Sequence, residues 1–276
     1  MCSNYKPVTL QDRLLAHFGV VRPDEVEPPE FTAVGMQAPF IVRASHREQL
    51  AKACLIGLFG LLPEWAENLA FGRKTYNCRS ETKTSKPSFR KAWQTEHRCV
   101  IPAELLYEPC YESGDPVRWA IKRLDGGPIG VAGLWGVWHD PKGQEVLSFT
   151  MLTVNADDHA LYRRFHAAQD EKRMPVILHE RDYDDWLHCS NEEAQKYLVQ
   201  YPAERLHAFP EPLPWKDLPE PKNWASAPDM FADEWHEAST DPKARMLKAR
   251  QARSRPGAAP KTDKPADEGP QSGDLF

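Results

Sequence analysis

The sequence predicts an α+β protein with an antiparallel β core that is flanked by helices and followed by a disordered tail. Strand candidates follow one another across short polar turns, such as Asp125-Gly126-Gly127, and helices are not regularly interleaved with them. No glycine-rich phosphate-binding loop of either common type is present. These observations argue against a doubly wound parallel sheet. They give no support to nucleotide chemistry, and we expect no cofactor.

The individual elements follow from periodicity and from turn residues. Helical spacing predicts three helices, Thr9–His17, Arg47–Leu55 and Ser190–Tyr201. Thr9 can cap the first helix, and Ser190 stands three residues before Glu193, which is capping-box spacing. Alternating or continuous apolar runs between turn signals predict strands at Ala38–Arg43, Val117–Lys122, Pro128–Trp138, Leu147–Val154 and Met174–Leu178.

Proline content indicates where the folded domain ends. Of the 25 prolines, twelve lie in the last 76 residues, and few large apolar side chains follow Asp241 before the final two residues. Such a segment cannot bury enough surface to offset the entropy that ordering costs. We therefore predict one folded domain over residues 1–235 and a flexible basic tail over residues 236–276.

The tail carries a second, smaller hypothesis. Residues 243–264 hold eight basic side chains and one acidic one, so this stretch could tether to DNA nonspecifically. The chain ends in Asp274, Leu275 and Phe276, which resembles the short peptides that dock bacterial repair proteins on the replication sliding clamp.

Composition and cysteine spacing exclude several classes of protein. The chain is 41% apolar and 27% charged, which is typical of a soluble globular protein. No apolar run reaches the roughly 18 residues of a membrane span, and the first residues lack the apolar core of a secretory signal. The six cysteines form no CxxC pair, so we expect neither a metal nor a disulfide framework. We expect a cytoplasmic, nucleoid-associated protein that is a monomer.

One region has the composition of a nucleic-acid-binding surface. Residues 72–98 hold eight basic and two acidic side chains, although the whole chain has a net charge of -5. Four aromatic residues are interleaved with or adjacent to this stretch: Phe71, Tyr76, Phe89 and Trp93. Single-stranded nucleic acid needs cations for its phosphates and aromatic faces for its unpaired bases. The alternative is a solvated charged face.

Cys2 offers unusual chemistry if Met1 is removed. The new N-terminus would then carry an α-amine and a thiol on adjacent carbons, and the ordinary pKa of an α-amine, about 7.7–8.0, leaves part of it neutral at physiological pH. An aldehyde that meets this terminus can form an imine, and the thiol can close onto the imine to give a five-membered thiazolidine.

Four segments together resemble the SRAP family, the SOS response-associated peptidases or abasic-site processing proteins. The segments are Met1-Cys2, the Asn77–Thr82 stretch with the following Phe89–Trp93, Arg98–Glu108 and Arg173–Leu178, in the family's order. The turn that ends in Trp65 is also similar. The resemblance implies a single SRAP-like domain with an antiparallel β-barrel-like core. It also implies a peptidase activity that fits self-removal of Met1.

The resemblance further implies covalent capture of abasic sites in single-stranded DNA, which would shield the lesion during the SOS response. Cys2 would attack the ring-opened aldehyde, Asn77 would orient Cys2 and the sugar-derived oxygen, and Glu108 would act as acid or base near the amine. Arg79 and Arg173 would bind flanking phosphates, and Trp65 would stack near the lesion.

The histidine of the site departs from the family's usual pattern. The family places it two residues before Arg-Met-Pro, where this chain has Glu171. His166 is the nearest candidate for protonating the imine and reversing the crosslink, since Arg163 and Arg164 beside it suit a loop that faces DNA. His159 is the next candidate.

A rival function is a thiol peptidase that acts on other proteins, with Cys2 as nucleophile and a histidine as base. A peptidase needs only the thiol. Aldehyde capture needs the α-amine and benefits from a basic surface.

Overall fold

The fold was obtained as a computed structural model that describes residues 2–23, 29–44 and 52–211. The domain boundary predicted at residue 235, the basic tail and the terminal Asp274, Leu275 and Phe276 lie outside the described residues. The helices are α1 Gln11–Phe18, α2 Pro87–Gln94 and α3 Tyr183–His188. The strands are β1 Asn4–Pro7, β2 Thr32–Ala33, β3 Gln37–Arg43, β4 Lys52–Phe59, β5 Asn77–Arg79, β6 Arg98–Cys110, β7 Val117–Arg123, β8 Ile129–His139, β9 Glu145–Asn155, β10 Arg173–Pro175, β11 Ile177–Leu178 and β12 Leu206–Pro210.

Five strands close into a barrel in the order β8-β9-β4-β3-β6, with β6 returning to pair with β8. All of these pairings are antiparallel except β4 with β9, where Leu58 lies opposite Ser148. The interior is filled by buried apolar and aromatic side chains, and Phe149 stacks on both Phe40 and Phe59. Closure removes the exposed strand edges of the barrel and makes it a rigid frame.

The remaining strands are additions to this frame, and they bring distant parts of the chain together. β1 lies between β2 and β6, so that Asn4 pairs with both Ala33 and Tyr107. β5 runs parallel to β9, with Asn77 opposite Met151. The start of the chain, β5 and the second half of β6 therefore carry their side chains to one region.

The prediction of an α+β fold with an antiparallel barrel-like core is confirmed, and so is the first helix. The capping box is also present, because the Glu193 carboxylate accepts hydrogen bonds from the backbone and hydroxyl of Ser190. The helix it precedes is a short 3₁₀ turn, Glu193–Tyr197. The helix predicted over Arg47–Leu55 is wrong from Lys52 onward, because those residues form β4 and pair with β3.

Within the described ranges, no helix combines the length and the apolar character that a membrane crossing requires.

Candidate active site

Cys2 is held in place by a buried amide. The Asn77 Nδ2 donates a hydrogen bond of 2.9 Å to the carbonyl oxygen of Cys2, and the Cys2 thiol donates to the Asn4 carbonyl oxygen at 3.3 Å. Cys2 is 0% exposed in the chain that carries Met1. Asn4 lies on β1, which pairs with β6, and Asn77 lies on β5, which pairs with β9. The two contacts of residue 2 are therefore held by strands that pair with the barrel.

An acid–base pair stands beside Cys2. Glu108, on β6, is 0% exposed, and its Oε2 lies 3.0 Å from the His166 Nε2. The His166 backbone is docked on the same strand, since its N–H donates to the Pro109 carbonyl at 2.7 Å. His166 has a φ of 64°, in the left-handed region that a non-glycine residue rarely adopts. This conformation aims the imidazole at Glu108, and such backbone outliers cluster at functional sites.

The electrostatics of the site favour a protonated thiol. Burial raises the pKa of the Cys2 thiol well above its usual range, and the negative charge of Glu108 raises it further. Burial, followed by the charge of Glu108, also raises the pKa of Tyr162. The hydroxyl of Tyr162 is buried and makes no hydrogen bond within the part of the chain that the structure describes.

His159 is occupied by the backbone. Its Nδ1 accepts the N–H groups of Leu161 and Tyr162 at 3.2 and 3.0 Å, so its Nε2 carries the proton and donates to the Tyr201 carbonyl at 2.8 Å. Because both ring nitrogens of His159 are hydrogen-bonded to the backbone, this side chain holds the loop that leads to His166 in place. Of the two candidate histidines, the structure places only His166 next to Glu108.

Arg79 and Arg173 converge on one carboxylate. The two oxygens of Glu171 lie 2.7 Å from Arg79 Nη1 and 2.8 Å from Arg173 Nη1. Arg173 is 2% exposed and also pairs with both oxygens of Glu81. The role of both arginines as phosphate ligands stays a prediction, and Arg173 is the more fully engaged of the two.

The other residues predicted to contact DNA lie nearer the surface. Trp65 is 54% exposed and meets Phe71 edge-on, with ring centroids 4.9 Å apart. Arg163 is exposed, whereas Arg164 pairs with Glu112 through two hydrogen bonds of 2.9 Å.

The aromatic interleaving of the basic stretch does not form one stacking surface. Phe89 and Trp93 lie in the hydrophobic core, and the buried cation Lys83 covers the Trp93 ring. The stretch contributes exposed cations from Lys74, Lys86, Arg90 and Lys91. The aromatic residues Phe89 and Trp93 are spaced as they are because they form the buried face of α2. The basic residues between them form the charged surface.

Sequence reasoning did not find Tyr162, the buried phenol near Glu108 and Cys2. No motif marks it, and only its unpartnered hydroxyl distinguishes it from an ordinary core tyrosine. Among the described residues, no group of three or more His, Cys, Asp or Glu side chains is arranged to hold a metal ion.

The closed barrel thus carries Cys2 next to the Asn77 amide and the Glu108–His166 pair. The family described as SOS response associated peptidase (SRAP) matches residues 1–211, and the chain belongs to that family.

Characterised relatives share a common description. The chain is 28% identical over 218 residues to the abasic site processing protein YoqW of Bacillus subtilis (strain 168), covering 76% of this chain and 91% of that protein. It is 29% identical over 184 residues to the abasic site processing protein HMCES of Gallus gallus, covering 55% of this chain and 50% of that protein.

A solved structure has the same fold. A crystal structure of a protein from Bordetella bronchiseptica is 38% identical, with a TM-score of 0.71 that covers 77% of this chain and all of that one. A protein from Bacteroides thetaiotaomicron, 22% identical with a TM-score of 0.62, shares the fold.

Proposed function

We propose that this protein captures abasic sites in single-stranded DNA by a covalent bond to Cys2 after Met1 has been removed. The observation that carries the proposal is the anchoring of residue 2: the Asn77 amide holds its carbonyl at 2.9 Å, beside the buried Glu108–His166 pair. The chain also belongs to a family whose characterised relatives are named abasic site processing proteins.

The reaction balances without a cofactor. The neutral α-amine adds to the aldehyde carbon of the ring-opened sugar, and loss of one water gives an imine. The thiol sulfur then adds to the imine carbon, its proton passes to the nitrogen, and a thiazolidine results. Addition of water reverses the sequence.

The residues around Cys2 suit these proton transfers. Glu108 and His166 form a buried acid–base pair that can take the proton from the carbinolamine nitrogen and return it to the departing hydroxyl. Asn77 fixes the terminal residue so that amine and thiol reach the same carbon, and preorganisation of this kind lowers the entropic part of the barrier.

The raised thiol pKa favours this reaction over a thiol peptidase. A thiol protease requires a thiolate at neutral pH, which positive neighbours create by lowering the thiol pKa. In the chain that carries Met1, burial and the Glu108 carboxylate raise the pKa of the Cys2 thiol and so disfavour a thiolate. Capture that begins with the amine and uses the thiol second does not need that thiolate. Cleavage is confined in this proposal to the loss of Met1.

The surface near the site suits a DNA strand. Arg79 and Trp65 are each about half exposed, and they offer a guanidinium for a phosphate and an indole for a base. Arg163 and the exposed lysines of residues 72–98 add sequence-independent attraction.

The test is crosslinking of the full chain to a single-stranded oligonucleotide with one abasic site, read on a denaturing gel. Mass spectrometry first establishes that Met1 is absent. We expect Cys2→Ala to abolish the shifted band and Cys2→Ser to give a weaker or labile one, because its hydroxyl closes the ring poorly.

Cys54→Ala is the matched control, since Cys54 is a buried cysteine on β4. It should crosslink like the parent. Undiminished crosslinking by Cys2→Ala would falsify the proposal.

A further inference from the structure

The carboxylate of Glu171 bridges two guanidinium groups. One oxygen lies 2.7 Å from Arg79 and the other 2.8 Å from Arg173, and the Asn155 amide approaches the second oxygen at 3.4 Å. The carboxylate is therefore fixed by at least two neighbours besides Arg79. It remains 34% exposed and open to exchange with a ligand from solvent.

The two arginines are not equivalent. Arg173 is buried, and without Glu171 it would keep both oxygens of Glu81 and the Thr153 carbonyl at 2.8 Å. The Arg79 side chain is 43% exposed, and within the described ranges its ion-pair partner is Glu171. Losing Glu171 would thus release Arg79 and leave Arg173 anchored.

A carboxylate and a phosphate present the same pair of oxygens to a guanidinium, so the two compete for one arginine. Glu171 is also ionised at neutral pH, since hydrogen bonding from Arg173 lowers its pKa. Arg79 is consequently neutralised in the free protein, at the place where the DNA backbone is proposed to bind.

We propose that Glu171 is an internal substitute for a DNA phosphate, which holds Arg79 until a backbone phosphate displaces it. This inference rests on the proposed function, because it assumes that Arg79 meets DNA. Because Glu171 must leave Arg79 before a phosphate can bind, the affinity for intact single strands is lower. That affinity also depends less on the salt concentration. The lower affinity favours release of DNA that carries no lesion, whereas a covalently captured strand stays bound.

The experiment measures binding of the full chain to a single-stranded oligonucleotide without an abasic site, by fluorescence anisotropy at several salt concentrations. Glu171→Gln should tighten binding about two- to fivefold, the range expected from a half-exposed ion pair. The slope of log K against log salt should steepen by about 0.7, the value for one additional phosphate contact on a single strand.

Glu104→Gln is the matched control, because Glu104 forms an equally close two-oxygen pair with Arg13 and its loss changes the net charge by the same amount. The inference is overturned if Glu171→Gln binds no more tightly than Glu104→Gln. Thermal melts followed by circular dichroism verify that both variants fold.

Two further variants separate this inference from the proposed function. If Glu171 acts through Arg79, the double variant Arg79→Ala/Glu171→Gln should lose the gain. If the gain persists in the double variant, the inference is wrong and DNA binding itself is unaffected. If Arg79→Ala alone binds like the parent, the proposed contact between Arg79 and phosphate fails and the inference fails with it.

Discussion

Two carboxylates, Glu108 and Glu171, face very different surroundings. Glu108 is completely buried and meets one imidazole, whereas Glu171 is a third exposed and meets two guanidinium groups. A proton on Glu108 can exchange with its partner, but arginine stays protonated in proteins. The first region is therefore suited to chemistry and the second to binding. Effects on rate should be large at the first and effects on affinity small at the second, because water screens the exposed pair.

The largest effect is expected from Glu108→Gln. The amide keeps the size of the side chain but cannot accept a proton, so the rate constant for covalent capture should fall about a hundredfold or more. Single-turnover crosslinking measures it, and anisotropy with intact single-stranded DNA should give the parent's affinity. An unchanged rate would remove the distinction between the two regions.

The two histidines should respond differently to substitution. His166→Ala should slow capture or its reversal about tenfold to a hundredfold, because it removes the partner of Glu108. His159→Ala should leave the rate near that of the parent but cost about 1–3 kcal/mol of unfolding free energy, since two backbone N–H groups and a carbonyl lose their partner. Chemical denaturation and gel kinetics on both variants test this. A rate defect confined to His159→Ala would reverse the assignment.

The smallest effect concerns stability and pH in the arginine cluster. Partial burial is the largest single influence on Glu81 and opposes its ionisation. The hydrogen bond and charge of Arg173, together with hydrogen bonds from the Glu81 backbone and Ser80, outweigh it and lower the pKa of this carboxyl below its unfolded value. Such a group stabilises the fold above its unfolded pKa, about 4.3, and the contribution is lost as the pH falls through the lower folded value.

Glu81→Gln should therefore cost about 0.5 kcal/mol at pH 7, as expected for a half-exposed pair, and less near pH 3. Thermal melts at both pH values provide the measurement. A destabilisation by Glu81→Gln that increased as the pH fell would contradict this prediction.

The sequence predicted the regular part of the fold well and the irregular part poorly. β7, β8 and β9 were predicted because apolar runs alternate with turns that contain Gly, Asp and Pro. β6 was not predicted, since it carries two prolines and is buried along most of its length, so that it lacks alternation. The error at Lys52–Leu55 has the opposite cause: helical spacing was overruled by pairing with β3.

The site could be predicted only through the resemblance to a family. Its residues stand at positions 2, 77, 108 and 166, in four separate segments of the chain. Periodicity gives no information about contacts between such distant segments. The sequence favoured His166 over His159 only through the neighbouring Arg163 and Arg164, because it does not show which imidazole the backbone already occupies.

The position of β1 has a practical consequence for producing the protein. β1 is hydrogen-bonded on both edges, to β2 and to β6, so Asn4–Pro7 cannot move away to accommodate an added peptide. Under the proposed function, an affinity tag fused ahead of Cys2 would convert the amine that reacts with the aldehyde into an amide. Preparations meant to retain reactivity need an untagged leading end, and a cleavable handle there must leave cysteine as its first residue after removal.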